Sequence, residues 1–89
     1  MMRSTLTPES AKILAFQALG WLAGYEDRFS RFLALSGLDV DTLRQTADSR
    51  DTARAVLDFL LSDEALLLDF CEMTQIAPKQ VPLYRQRLE

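Results

Sequence analysis

An internal echo places the tightest constraint on the fold of this 89-residue chain. The stretch FLALSGLDVDTL, residues 32–43, is matched 38 positions later by FCEMTQIAPKQV, residues 70–81. A duplicated unit explains the echo, and so does the common pattern of helix, tight turn and short helix. Both explanations predict the same all-α fold. We expect a compact bundle of five to six short helices, arranged as two pseudo-repeated three-helix units over about residues 11–47 and 49–88.

Capping residues set the expected helix bounds in the first half. Thr7 followed by Pro8 is typical of an N-cap and a first helical position, which predicts a helix running to about Ala23. A second helix should end at Gly37, because glycine readily adopts the left-handed conformation that closes a helix. Asp39 can then cap a short third helix over residues 40–47.

The second half is expected to repeat this arrangement. A fourth helix should start at Ser49 or Asp51 and end at Leu61, and a fifth over residues 63–74 should be capped by Ser62. The fifth helix is apolar nearly all round, which favours a place at the centre of the domain. Because Pro82 removes a helical hydrogen bond, we expect a turn over residues 78–81 and a last helix from about Pro82.

One domain of residues 1–89 is expected, because a chain of this length has room for only one core. Residues 1–6 are expected to be disordered and residues 78–89 to be frayed. The composition, 48% hydrophobic and 26% charged with three glycines, is that of an ordinary globular chain.

The first helix has apolar residues on two sides. One helical stripe predicts a core face, made of Ala11, Leu14, Ala15, Ala18, Trp21 and Leu22. Ile13, Phe16 and Gly20 lie on the opposite side. This pattern favours a helix sandwiched between neighbours, and the alternative is an apolar patch that a partner covers.

The leading functional hypothesis follows from that alternative. Ile13 and Phe16 on the first helix, with Leu66 and Leu68 on the fifth, exceed what one core stripe needs. They form a candidate interaction patch, and the chain is therefore expected to be a protein–protein interaction or regulatory module, with an unknown protein partner or a second copy of itself.

A helix-turn-helix DNA-binding protein is the alternative hypothesis. Residues 33–45 fit that pattern, with residues 39–47 as the recognition helix and Arg44, Gln45 and Arg50 as candidate DNA contacts. The net charge is −3, and Asp39 and Asp41 stand where phosphates would approach. Nucleic acid is therefore an unlikely partner.

Catalytic chemistry has few candidate residues in this sequence. There is no histidine and one cysteine, Cys71, which lies on an apolar helix where a buried structural thiol is expected. Asp69 and Glu72 share a helical face, a pattern more typical of a solvated surface than of a metal or acid–base site. We expect no enzyme activity, no cofactor and no metal.

The lone cysteine and the absence of a long apolar segment favour a reduced, cytoplasmic location without a membrane span.

Two longer stretches carry a family resemblance. FQALGWLAGYEDRFSRFLALSGLDVDTLRQ and AVLDFLLSDEALLLDFCEMTQIAP resemble the small bacterial proteins of the domain of unknown function 3572 family, over roughly residues 11–78. The resemblance implies an all-helical, cytoplasmic, bacterial protein. It implies no activity and no functional residues, and PKQVPLYRQRLE departs from the uninterrupted last helix usual in that family.

Overall fold

The computed structural model describes residues 6–89, so the disorder expected for residues 1–6 falls, apart from Leu6, outside the described residues. Within that range the chain forms six α-helices and no strand, which confirms the all-α bundle. The helices are α1 (Pro8–Ala23), α2 (Glu26–Ser36), α3 (Val40–Thr46), α4 (Arg50–Leu61), α5 (Glu64–Thr74) and α6 (Val81–Gln86). A single 3₁₀ turn, Pro78–Gln80, precedes α6.

Side-chain caps account for most helix starts. The hydroxyl of Thr7 accepts a hydrogen bond from the backbone N–H of Ser10, and the carboxylate of Asp39 accepts one from Thr42. Ser49 caps α4 in the same way. The predicted N-caps of α1, α3 and α4 are therefore confirmed.

The N-cap predicted for α5 is wrong by one residue. Asp63, whose carboxylate accepts a hydrogen bond from the N–H of Leu66, caps α5. Ser62 instead ends α4, and its hydroxyl donates to the carbonyl of Phe59. The hydroxyl therefore serves the C-terminal end of one helix, and the neighbouring carboxylate serves the start of the next.

The two halves repeat at the interval that the echo predicts. A shift of 38 positions superimposes Glu26–Ser36 on Glu64–Thr74, and both helices end in a left-handed residue, Gly37 at φ 77° and Gln75 at φ 63°. The same shift relates two aromatic contacts between the halves. Their ring centroids lie 5.5 Å apart for Phe32 and Phe59 and 5.4 Å apart for Trp21 and Phe70.

The core runs through both halves, with α4 at its centre. α4 packs against α1, α2, α5 and α6. The buried apolar side chains are Ala11, Leu14, Ala15, Ala18, Leu19, Leu22, Phe32, Leu43, Ala53, Val56, Leu57, Phe59, Leu60, Leu66, Phe70, Cys71, Val81 and Leu88. The expectation that α5 is central is wrong, because only Leu66, Phe70 and Cys71 of that helix are buried.

The C-terminal segment is anchored at two points. Val81 and Leu88 are fully buried. The guanidinium of Arg54 donates to the carbonyl of Leu88 over 2.8 Å, and Arg85 pairs with Asp58 at 2.7 Å. The turn expected over residues 78–81 is present as the 3₁₀ turn, and α6 starts at Val81, one residue before Pro82.

Candidate functional site

The side of α1 opposite the core is open to solvent. Ile13 and Phe16, three residues apart on one face of the helix, are 58% and 57% exposed. Gly20 and Ala23 continue the same face towards the end of α1 and are also exposed. The expectation that neighbours sandwich α1 is therefore wrong, because no described element covers this face. The alternative, an apolar patch, is what the structure contains.

The third helix forms one wall of this patch. Val40, the first residue of α3, is exposed and lines a cleft together with Phe16, Gly20, Ala23 and Arg44. A Cβ atom built on Gly20 meets nothing within 4 Å, so the floor of the cleft is open at that point. We call Ile13, Phe16, Gly20, Ala23 and Val40 together the α1 face.

Charged side chains border the α1 face at both ends. Glu9, Lys12 and Asp48 lie around Ile13 and Phe16, near the start of α1. Arg44 lies at the other end, where the cleft contains Gly20 and Ala23. None of the four forms an ion pair with another residue in the range 6–89.

The four patch residues expected from the sequence do not come together. Leu66 is 4% exposed and packs in the core, so its place in a surface patch is a wrong expectation. Its position one turn before Phe70 on the buried side of α5 explains this. Leu68 is 46% exposed, but it lines neither cleft beside Ile13 and Phe16.

Val40 and Ala23 belong to the α1 face without having been singled out in the sequence. Val40 lies near Phe16 because α3 returns beside α1 after Gly37, a tertiary relation that helical periodicity does not report. Ala23 is two turns after Phe16 on α1, so periodicity alone places it on this face. Gly20 did carry a signal, because it lies on the same side of α1 as Ile13 and Phe16.

The candidate DNA contacts are at the surface, but the proposed recognition helix begins at a carboxylate. Arg44, Gln45 and Arg50 are exposed, and Arg50 donates a hydrogen bond to the carbonyl of Glu89 over 3.5 Å. At the start of α3, hydrogen bonds from Thr42 hold the pKa of Asp39 below its usual value, so this carboxyl stays charged at neutral pH. A negative charge therefore stands at the end of the helix that would approach a phosphate.

The other candidate reactive residues, Cys71 and Asp69, are buried in the core or held in an ion pair. Cys71 is buried, as expected, and burial raises the pKa of its thiol, which disfavours the nucleophilic thiolate. Asp69 lies 3.3 Å from the guanidinium of Arg28, which also stacks over the rings of Trp21 and Tyr25. Across residues 6–89, no three Cys, Asp or Glu side chains cluster as metal ligands would.

In the part of the chain that the structure describes, no helix is both long and apolar enough to cross a lipid bilayer.

In the described residues, fold and surface together define a small all-helical protein of two similar halves with an uncovered apolar face on α1. A family described as "Protein of unknown function (DUF3572)" matches residues 8–89, nearly the whole chain, and the protein belongs to that family. No curated protein and no solved structure matches the chain.

Proposed function

We propose that this protein is a bacterial, cytoplasmic interaction module that binds another protein surface through the α1 face. The observation that carries the proposal is the side-by-side exposure of Ile13 and Phe16 on a helix whose other side forms the core. Burying a large apolar side chain in a complex gains about 1.5–3 kcal/mol relative to leaving it in water. Two such side chains, flanked by Val40, make an anchor that a partner can cover.

A comparison of the two halves supports this proposal. In α4 the positions equivalent to Ile13, Phe16 and Gly20 are Asp51, Arg54 and Asp58. These polar side chains are engaged within the chain. Arg54 pairs with Asp51 and donates to the carbonyl of Leu88, and Asp58 pairs with Arg85 of α6.

The same place on α1 has the opposite character. Among the described residues, α6 packs closely on α4, whereas α3 has no comparable packing against α1. The side chains left open there are apolar instead of charged. One half of the protein thus closes this face internally, and the other half presents it.

Affinity capture from an extract of the native cells tests the proposal. The bait is the full chain, compared with Phe16→Ala and with Leu35→Ala as the matched control. Leu35 is 70% exposed but lies on α2, outside the α1 face. We expect a protein that binds the wild type and the Leu35→Ala bait in equal amounts and is lost from the Phe16→Ala bait. Equal capture by all three baits would overturn the proposal, and so would capture by none if the chain also fails to associate with a second copy of itself.

The proposed role involves no catalytic step and no DNA. The high pKa of the buried Cys71 thiol and the charged Asp39 at the start of α3 are consistent with both statements. Titration with random duplex DNA at low salt provides the test of the DNA alternative. The interaction proposal predicts no binding, whereas a DNA-binding protein would give binding that weakens steeply as salt is added.

A further inference from the structure

The charges around the α1 face are arranged in a definite order. Arg44 of α3 lies beside Gly20 and Ala23, near the end of α1, whereas Asp48 lies beside Glu9 and Lys12, near its start. The chain from Arg44 to Asp48 therefore runs alongside α1 in the opposite direction. One end of the face is acidic, because Glu9 and Asp48 outnumber Lys12 there, and the other end carries Arg44.

This order makes the face complementary to itself. Consider a two-fold axis that lies in the plane of the interface, above Phe16, and runs at right angles to the direction of α1, so that the α1 faces of two copies meet. The second copy then has its α1 antiparallel to the first, so its basic end lies over the acidic end of the first copy. Arg44 of each copy comes opposite Asp48 of the other. A two-fold axis parallel to α1 would instead place both basic ends at one end of the dimer and both acidic ends at the other.

The shapes of the side chains fit the same arrangement. With Phe16 at the crossing point, Ile13 of one copy comes near Gly20 of the other. Ile13 is a large exposed side chain, and the space above Gly20 is open for at least 4 Å around a built Cβ. Phe16 of each copy meets its counterpart at the axis, and on either side of this pair a large Ile13 meets a small Gly20, which lets the two helices approach closely.

We propose that a second copy of this chain covers the α1 face, in a two-fold dimer with antiparallel α1 helices and Arg44 of each copy paired with Asp48 of the other. This inference rests on the proposed function and names the partner surface. The contact involves one helix face and the edge of α3, which is small for a stable interface. We therefore expect a dissociation constant on the order of 10 µM, in rapid exchange.

Sedimentation equilibrium of the full chain, at concentrations from about 1 µM to 1 mM around that constant, tests the dimer. The variants are Arg44→Glu, Asp48→Arg and, as a control with the same change of charge as Arg44→Glu, Arg87→Glu on the C-terminal tail. We expect Arg44→Glu and Asp48→Arg each to weaken self-association about 10-fold, because each places like charges at both symmetric contacts. Arg87→Glu should dimerise like the wild type.

The decisive sample is an equimolar mixture of Arg44→Glu and Asp48→Arg. In a mixed dimer of these two chains both contacts join opposite charges again, so the mixture should associate about as tightly as the wild type. Circular dichroism of each variant alone confirms that it is folded. A mixture no tighter than its separate components, or a wild type that is monomeric at 1 mM, would overturn the dimer.

The outcomes for the dimer and for the proposed function are distinguishable. A monomeric wild type, together with a captured protein that depends on Phe16, overturns the dimer and leaves the interaction module supported. A monomeric wild type with no such captured protein overturns both.

Discussion

Gln75 adopts a backbone conformation that glycine ordinarily occupies. Its φ of 63° matches the 77° of Gly37, its counterpart in the first half, and both residues close a helix. A side chain at positive φ costs about 1–2 kcal/mol because Cβ approaches the following carbonyl oxygen. Gln75 offsets part of that cost, because its side-chain amide donates to the carbonyl of Glu72 over 3.0 Å.

Substitutions at these two helix ends should change the free energy of unfolding in opposite directions. Gln75→Gly should raise the free energy of unfolding by about 1 kcal/mol, since it removes the strain of a left-handed side chain. Gly37→Ala should lower it by a similar amount, because alanine introduces that strain. Urea denaturation followed by circular dichroism measures both. A loss of stability in Gln75→Gly would show that its side-chain hydrogen bond outweighs the strain.

Residue-scale features were predictable wherever one local interaction decides the outcome. Thr7, Asp39 and Ser49 cap helices as their sequence context predicts, because an N-cap needs only a side-chain oxygen within three residues of a free N–H. Ser62 and Asp63 are adjacent and both suited to the role. Choosing between them requires knowing where α4 ends, which depends on packing.

The fifth helix shows why the burial of an element is harder to predict. Its sequence is apolar nearly all round, which indicated a central helix, yet Leu68 and Met73 are exposed. Periodicity reports which residues share a face and says nothing about whether a neighbour covers it. The same limit of periodicity applies to α1. Its second apolar side was expected to be sandwiched between neighbours, and it is open.

Leu66 and Leu68, two positions apart on α5, should differ greatly in the cost of truncation to alanine. Leu66→Ala should lower the free energy of unfolding by about 2–5 kcal/mol, because Leu66 packs in the core. Leu68→Ala, on the exposed side of the same helix, should change it by less than about 1 kcal/mol. Chemical denaturation of both variants checks this. Similar losses in the two variants would contradict the burial assigned to α5.

Helix capping also predicts a loss of stability in acid. Hydrogen bonds from the N–H groups of Thr42 and Leu66 lower the pKa of Asp39 and Asp63 respectively, and Arg31 contributes at Asp63. A carboxyl whose pKa is lower in the folded chain stabilises the fold above its unfolded pKa, near 4. That contribution is lost as the pH falls through the folded pKa.

The urea midpoint should therefore stay level from about pH 7 to pH 5 and fall below about pH 4. Asp39→Asn keeps a capping oxygen and does not titrate, so its midpoint should fall less over the same range. If the variant and the wild type lose stability equally between pH 5 and pH 3, the cap of α3 makes no contribution to the acid dependence.

A substitution at Gly20 should change the stability of α1 and the binding of its exposed face in opposite directions. It lies inside a helix, where alanine is favoured by about 1 kcal/mol, and an added Cβ has no neighbour within 4 Å. Gly20→Ala should therefore raise the free energy of unfolding by up to about 1 kcal/mol. It should also weaken contacts to the α1 face, because the methyl group fills the cleft. Calorimetry and sedimentation of one sample measure both effects, and tighter association in the variant would contradict the account.

The described molecule has two similar halves, and they differ in how the same side of α1 and α4 is covered. Both halves have the predicted order of helices, and the pairs Phe32–Phe59 and Trp21–Phe70 relate them across the core. In the second half α6 closes on α4 through Arg85 and Asp58. In the first half α3 leaves the equivalent side of α1 open.

The open side of α1 shows how much of the candidate site could be predicted from the sequence. Helical spacing identified Ile13 and Phe16 as surplus to the core, because it needs only the 3.6-residue period. It could not add Val40 or discard Leu66, because both depend on how helices pack across the two halves. Family membership covers residues 8–89 and adds no functional residue.

The central claim is that the α1 face is the surface through which this protein binds. Position-specific photo-crosslinking in living cells tests it most directly, with a photoreactive phenylalanine analogue in place of Phe16. The matched control places the analogue at Leu35, which is even more exposed and lies outside the α1 face. The account predicts a discrete crosslinked product from position 16, of twice the chain's mass if the partner is a second copy, and none from position 35. No crosslinked product from position 16, or the same product from both positions, would contradict it.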